Sequence, residues 1–118
     1  MIPLLLALWF IPSLITHAQE VSPKTLIENV FGKNSVMVAV AHCESGLRHL
    51  DTNGDVLRGK VDPRDTGLFQ INKYWNGKLA NQLGLDLEKV EDNIIMAWVI
   101  LQTQGMDAWK PSKSCWNK

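Results

Sequence analysis

The chain has 118 residues, of which 46% are hydrophobic and 20% charged, so its composition fits one small globular domain. Its 12 basic and 12 acidic residues balance, and no run of like charge occurs, which excludes a broad basic surface for nucleic acid. The sequence shows no internal repeat, phosphate-binding loop or paired metal-ligand spacing, and we expect neither a cofactor nor a metal.

The N-terminal segment is expected to direct export. Residues 2–15 are apolar apart from Ser13, and Thr16-His17-Ala18 fits a cleavage site. We therefore predict a signal peptide over residues 1–18, a domain over residues 19–118, and a periplasmic, cell-wall-associated or extracellular location. No lysine or arginine stands near Met1, so an uncleaved segment is the alternative, and it would be the chain's membrane contact.

The chain has two cysteines, Cys43 and Cys115. Export into an oxidising compartment favours a disulfide between them, which would tie the C-terminal segment to the helix that carries Glu44. The alternative is that Cys43 is a small buried apolar residue and Cys115 a free thiol.

Two helices are predicted in the first half of the domain. Ser22-Pro23 is typical of a helix start and Gly32 of its end. The apolar residues between them, which lie on one face, are Leu26, Ile27, Val30 and Phe31.

The second helix is predicted from Asn34 or Ser35 to Glu44, with Gly46 ending it. Met37, Val40, Ala41 and Glu44 follow the i, i+3, i+4, i+7 spacing of one helix face. Glu44 therefore occupies a position where an apolar residue would be usual.

A β-hairpin is predicted over residues 47–61, because Asn53-Gly54 is a strong turn signal between short extended stretches. A calcium loop is the rival interpretation, since Asp51, Asn53 and Asp55 have the spacing of an EF-hand loop. Val56 stands where the sharp turn of that loop needs glycine, which weakens this alternative.

The C-terminal half is predicted to be helical. One short helix contains Leu79, Ala80 and Leu83 and ends at Gly84, and a second is capped by Asp92 and runs to Gly105. The residues on the apolar stripe of the second helix, which we assign to the core, are Ile94, Ala97, Trp98 and Leu101.

Two segments together resemble the lysozyme-like superfamily, which includes goose-type and chicken-type lysozymes and lytic transglycosylases. They are the helix end over residues 41–48, with Glu44-Ser45-Gly46, and the run Asp-Thr-Gly-Leu-Phe-Gln-Ile-Asn over residues 65–72. The resemblance extends over residues 22–116. It implies an α+β, mainly α fold with a small hairpin at a cleft, and cleavage of the β-1,4 bond between N-acetylmuramic acid and N-acetylglucosamine in peptidoglycan.

In this family Glu44 corresponds to the catalytic acid. Partial burial and a helix C-terminus both raise the pKa of a carboxyl group, which keeps a proton available for a leaving oxygen. A surface glutamate that reaches into water or pairs with Arg48 is the alternative.

Asp65 corresponds to the second catalytic carboxylate of chicken-type lysozymes, with a turn or capping residue as its alternative. The resemblance also implies a set of residues that contact substrate: Ser45, Gln70, Asn72, Tyr74 and Asn93. Local backbone bonding is an alternative for Gln70 and Asn72, core packing for Tyr74, and helix capping for Asn93.

The Glu-Ser pair and Asn93 resemble lytic transglycosylases more than lysozymes, so we expect that activity. The alternatives are a hydrolytic lysozyme that uses Glu44 and Asp65, and a peptidoglycan-binding module without activity. We expect a monomer whose partner is the peptidoglycan glycan strand.

Overall fold

A computed structural model describes residues 20–118 of the chain. The predicted signal peptide and its cleavage site therefore lie outside the described residues. Within residues 20–118, no helix is both long enough and apolar enough to cross a membrane.

The described part of the chain is mainly helical and has a small antiparallel sheet. Its helices are α1 (Pro23–Phe31), α2 (Val36–Ser45), α3 (Lys73–Gln82), α4 (Val90–Gln104) and α5 (Lys113–Trp116), and a 3₁₀ segment (Gly105–Ser112) joins α4 to α5. Two short strands, β1 (Asp65–Thr66) and β2 (Ile71–Asn72), pair with Asp65 opposite Asn72. The coarse prediction of an α+β, mainly α fold is thus confirmed.

The predicted ends of α1 and α2 are confirmed by their caps. The Ser22 hydroxyl accepts a hydrogen bond from the Thr25 amide (3.3 Å), and the Ser35 hydroxyl accepts one from the Met37 amide (3.1 Å). Gly46 ends α2 in the left-handed region, at φ 66°, a conformation that costs glycine little.

The predicted hairpin over residues 47–61 is confirmed only in part. Its turn forms, but Leu50 and Val56 make one isolated antiparallel bridge instead of two strands. The Asp51 carboxylate accepts hydrogen bonds from the amides of Asn53 (2.8 Å) and Asp55 (3.0 Å), so the turn is held by a side chain. The sheet itself forms further along, at β1 and β2, and Arg58 bridges to Thr66 beside it.

Two helix starts differ from the prediction. Helix α3 begins at Lys73, well before Leu79, because the Asn72 side chain caps it. Helix α4 begins at Val90, and Asp92 does not cap it, since its carboxylate accepts a hydrogen bond from the Asp86 amide (2.9 Å). The core assignment of Trp98 is also wrong, because 44% of its surface is exposed.

The buried core lies between the helices and the loop that joins β1 to β2. Helix α1 packs against α4 and α2, and α5 packs against α2. The fully or nearly fully buried apolar residues are Ile27, Met37, Val40, Ala41, Leu68, Phe69, Ile71, Ala80, Leu87, Ile94, Met96, Ala97, Ile100 and Trp109. The face of α2 predicted from its spacing is thus the face that carries Glu44 towards the interior.

A disulfide joins Cys43 of α2 to Cys115 of α5, as predicted, with a Cα–Cα distance of 6.0 Å. It closes a loop between residues 72 positions apart, which stabilises the fold by about 4 kcal/mol in the loop-entropy model. The bond fixes α5 beside the end of α2.

We expect no free thiol in the denatured, unreduced protein, and a fall of up to about 4 kcal/mol in the free energy of unfolding on reduction. Thiol titration and denaturant melts, with and without a reductant, measure both quantities. A Cys43→Ala/Cys115→Ala double variant is the control, because a reductant should leave its melt unchanged. Two titratable thiols in the unreduced protein would contradict the pairing.

Candidate functional site

Glu44 lies near the end of α2, one residue before its last residue Ser45, and is half-buried. The Ser112 hydroxyl donates a hydrogen bond to Oε1 of Glu44 (2.7 Å). Burial is the main influence and raises the pKa of the Glu44 carboxyl group; the Ser112 bond lowers it, and the nearby charge of Asp65 raises it. The net result is a raised pKa, as the sequence predicted.

The carboxyl group faces an open cleft. Two cavities of about 410 Å³ each share the side chains of Glu44, Asp65 and Gln70 in their walls, so these three residues stand where the cavities meet. A larger cavity of about 830 Å³ runs along α3, but neither Glu44 nor Asp65 lines it. We therefore take the two smaller cavities, which Glu44 and Asp65 both line, as the candidate site and call them the cleft.

The two ends of the cleft differ in character. One end is lined by aromatic and acidic side chains, among them Trp75, Trp109 and Asp62. The other end is lined by the basic side chains of Arg48, Arg58 and Lys60. An extended ligand across Glu44 would thus meet aromatic rings at one end and cationic groups at the other.

Asp65 is held by Asn72. The Asn72 amide nitrogen donates hydrogen bonds to Asp65 (2.9 Å) and to Asp62 (3.0 Å), while its oxygen accepts from the amides of Tyr74 (3.0 Å) and Trp75 (3.2 Å). The side-chain amide therefore fixes one carboxylate of the cleft, contacts a second, and caps α3. This engagement matches the alternative of local bonding that the sequence left open for Asn72.

Asp62 is kept ionised by Arg64. Arg64 donates to it through its backbone amide and through a guanidinium fork of two bonds near 3.0 Å. These hydrogen bonds, chiefly those of the guanidinium, lower the pKa of Asp62 to about 2. Asp62 therefore stays ionised and cannot serve as a proton donor near neutral pH.

The loop from Gly67 to Gln70 contributes Gln70 to the cleft, and its backbone is bonded to three buried side chains. Ser45 donates to the Leu68 carbonyl (2.7 Å), and the Leu68 amide donates to Nδ1 of His49 (3.1 Å). Asn93 accepts from the Phe69 amide (3.0 Å). These bonds determine where the loop places Gln70.

The fully buried Asn93 completes its bonding by donating to the carbonyls of Thr66 (3.0 Å) and Leu87 (2.9 Å). All of its polar side-chain atoms are thus bonded inside the protein, and its predicted contact with substrate stays a prediction. Its predicted role as a helix cap is wrong. Asn93 instead attaches α4 to Thr66 and to the loop that follows it.

The other predicted contact residues differ in access to the cleft. Gln70 lines both cavities and donates to the Gly67 carbonyl (3.0 Å). Ser45 lines one of the two cavities but is buried, and its hydroxyl is engaged by backbone groups, which leaves it little capacity for a ligand. Tyr74 is 65% exposed, packs edge-on against Trp75, and lies under the Arg64 guanidinium. Substrate contact by these residues stays a prediction.

Two residues of the site were not found from the sequence. His49 is buried, with Nδ1 bonded to the Leu68 amide and Nε2 bonded to the Glu88 carbonyl (2.6 Å). Ser112 carries the only hydroxyl bonded to Glu44 among the described residues. Neither belongs to a local motif, because each partner lies far away along the chain.

Two further points from the sequence concern an ion pair of Glu44 with Arg48 and a bound metal ion. No salt bridge joins Glu44 to Arg48 within residues 20–118, so the surface-pair alternative is not what the structure shows. In the same part of the chain, no group of three His, Cys, Asp or Glu residues could hold a metal ion.

No protein-family model matches this chain, and no match was found among curated proteins or solved structures. The resemblance to the lysozyme-like superfamily therefore depends on the two sequence segments alone.

The packing around Gly67 generates a stability prediction. Its φ of +70° disfavours a side chain, and an added Cβ would lie 2.4 Å from His49 and 2.8 Å from Asn93. We expect Gly67→Ala to lower the free energy of unfolding by about 3 kcal/mol or more, since strain and overpacking add.

Gly54→Ala is the matched control, because Gly54 has a similar φ of +82° but nothing within 4 Å of the added Cβ. It should cost only about 1–2 kcal/mol. Equal losses in the two variants, measured by denaturant melts, would show that the contacts of Gly67 with His49 and Asn93 do not matter.

Proposed function

We propose that this chain is a peptidoglycan lytic transglycosylase with a lysozyme-like fold. The observation that carries the proposal is the half-buried Glu44 carboxyl group with a raised pKa, at the meeting point of two cavities that together form an open cleft. A cleft of this kind suits an extended polymer, and a carboxyl group whose pKa is raised by burial suits a general acid.

In the first step Glu44 donates its proton to the glycosidic oxygen between N-acetylmuramic acid and N-acetylglucosamine. The bond from that oxygen to C1 of the muramic sugar breaks, and the electron pair stays with the departing oxygen. Glu44 is then a carboxylate.

In the second step the Glu44 carboxylate accepts the proton of the muramic 6-hydroxyl, whose oxygen forms a bond to C1. The product is a 1,6-anhydro sugar, no water is consumed, and Glu44 regains its proton. One carboxyl group performs both transfers because the substrate supplies its own nucleophile.

The second candidate is a hydrolytic lysozyme, and the observation that favours it is that Asp65 lines the same two cavities as Glu44. A lysozyme would use Asp65 as a nucleophile or as the base for a water molecule. Against this stands the hydrogen bond from Asn72, which occupies one oxygen of Asp65 and links it to the start of α3. We therefore give Asp65 a structural and electrostatic role.

Two further observations support the proposed compartment and substrate. The Cys43–Cys115 disulfide fits an oxidising compartment such as the periplasm or the cell exterior, where peptidoglycan lies. The cationic end of the cleft, with Arg48 and Lys60, fits a polymer whose peptide stems carry carboxylates. A binding module without activity would share both features, so product release is the decisive measurement.

We expect purified peptidoglycan digested with the protein to release fragments with 1,6-anhydro ends, identified by mass spectrometry. Glu44→Gln keeps the shape of the side chain and an oxygen for Ser112 but has no transferable proton. Its rate should fall about 10²-fold or more. Reducing ends in place of anhydro ends would favour the lysozyme, and no release by the unaltered protein would favour the binding module.

The same variant has an expected effect on stability that depends on pH. The pKa of Glu44 is raised in the folded protein above its ordinary value of 4.5, so ionisation destabilises the fold as pH rises through the folded-state pKa. Glu44→Gln should therefore melt at a higher temperature than the unaltered protein at neutral pH, and the difference should vanish at pH values below the unfolded pKa. A lower melting temperature at neutral pH would contradict the burial argument.

Asp65→Asn tests the choice between the two mechanisms. We expect activity within about tenfold of the unaltered protein, which corresponds to about 1.4 kcal/mol in the barrier, and unchanged anhydro products. The alkaline limit of activity should move to lower pH, because the Asp65 charge raises the Glu44 pKa. A loss as deep as that of Glu44→Gln, in a variant shown by circular dichroism to be folded, would favour the lysozyme with two carboxylates.

A further inference from the structure

We propose that Ser112 is a positioning residue for the acid: its hydroxyl holds Oε1 of Glu44, so that the other carboxyl oxygen carries the transferable proton into the cleft. The inference rests on the proposed function and extends it to a residue that does not line the cleft. Ser112 is the last residue of the 3₁₀ segment, is half-buried, donates a hydrogen bond to Glu44, and is not among the residues that line the two cavities.

The position of the Ser112 hydroxyl is fixed by its surroundings. Its oxygen lies 2.7 Å from Oε1 of Glu44 and 3.1 Å from the Trp109 carbonyl. A hydroxyl group has one proton, and the shorter distance directs it to Glu44. Trp109 is itself immobilised, because it is buried and its indole nitrogen donates to the Phe69 carbonyl (3.2 Å).

The disulfide brings the two partners together. Cys43 precedes Glu44 directly, and Cys115 follows Ser112 by three positions, so a covalent bond joins the two short segments that carry the hydrogen bond. The pair spans 68 positions of sequence, yet both of its segments are anchored within three residues of the contact. Such anchoring reduces the entropy lost when the hydrogen bond forms.

The bond has a definite effect on proton transfer. A hydroxyl that donates to a carboxylate makes a stronger bond than one that donates to a neutral carboxyl group, so Ser112 favours the ionised form of Glu44. Burial favours the neutral form. Ser112 thus offsets part of the effect of burial, which lets Glu44 release its proton in the first step and recover it in the second.

The test compares Ser112→Ala with Ser112→Thr, which keeps a hydroxyl group. The readout is the pH dependence of kcat/KM on purified peptidoglycan. Ser112→Ala should move the alkaline limit of activity upward by about one pH unit, since a charge-assisted hydrogen bond is lost. Ser112→Thr should keep the alkaline limit of the unaltered protein. Ser114→Ala, the same substitution at an exposed position of α5, is the control and should move nothing.

A second measurement does not depend on activity. The titration of Glu44 can be followed by NMR in protein carrying ¹³C-labelled glutamate carboxyl groups, with Glu44→Gln to assign the signal. A higher Glu44 pKa in Ser112→Ala supports the proposal, even if the unaltered protein proves to lack muralytic activity and the proposed function fails. An unchanged Glu44 pKa, in a folded Ser112→Ala variant, would overturn it and leave Ser112 a purely structural residue.

Discussion

The structure depends on the hydrogen bonds that buried side chains make to the backbone of the loop from Gly67 to Gln70. Its backbone would be costly to bury without partners, and buried side chains supply them from three different parts of the chain. Ser45 comes from the end of α2, His49 from the turn that follows, and Asn93 from the first turn of α4. Because the loop connects β1 to β2, these bonds also determine where the strand residue Asp65 lies relative to Glu44.

The absence of a Cβ at Gly67 belongs to the same constraint. The His49 ring and the Asn93 side-chain amide approach Gly67 so closely that a side chain at this position would collide with both. The backbone then reaches both partners directly, and the polar core contains no side-chain nitrogen or oxygen that lacks a hydrogen bond within the described residues. A buried polar network that is fully satisfied specifies one arrangement, since any shift would leave a donor or acceptor unpaired.

The parts of the fold that the sequence predicts are those set by near neighbours. Serine caps, the glycine after α2 and the buried face of that helix follow from residues within a few positions of each other. Asn72 was recognised as a polar residue of the site, but its capping of α3 was missed because the first turn of that helix is polar and lacks apolar periodicity. Trp98 fits an apolar stripe by spacing, yet no element covers that side of α4 sufficiently to bury it.

The parts that could not be predicted depend on distant contacts. His49 bonds through both ring nitrogens to backbone groups 19 and 39 positions away in the chain, and no local pattern around His49 indicates such distant partners. Asn93 could be read as a cap or as a sugar contact, and only the fold shows that it faces the loop 24 positions earlier in the chain. For Ser112 the one available hint was its place near Cys115, once the disulfide had been predicted.

The hydrogen bond between Glu44 and Ser112 has a consequence for the order in which the fold is completed during synthesis. The segments that make this contact are synthesised far apart in time, and a chain that ends before residue 112 would contain the acid without its hydroxyl partner or its disulfide. Helices α1, α2 and α4 make their mutual contacts within residues 23–104, but the core residue Trp109 lies beyond them in the chain. The C-terminal segment therefore completes the core and the hydrogen bonding of Glu44 together, so the carboxyl group gains its partner only when the last part of the fold is in place.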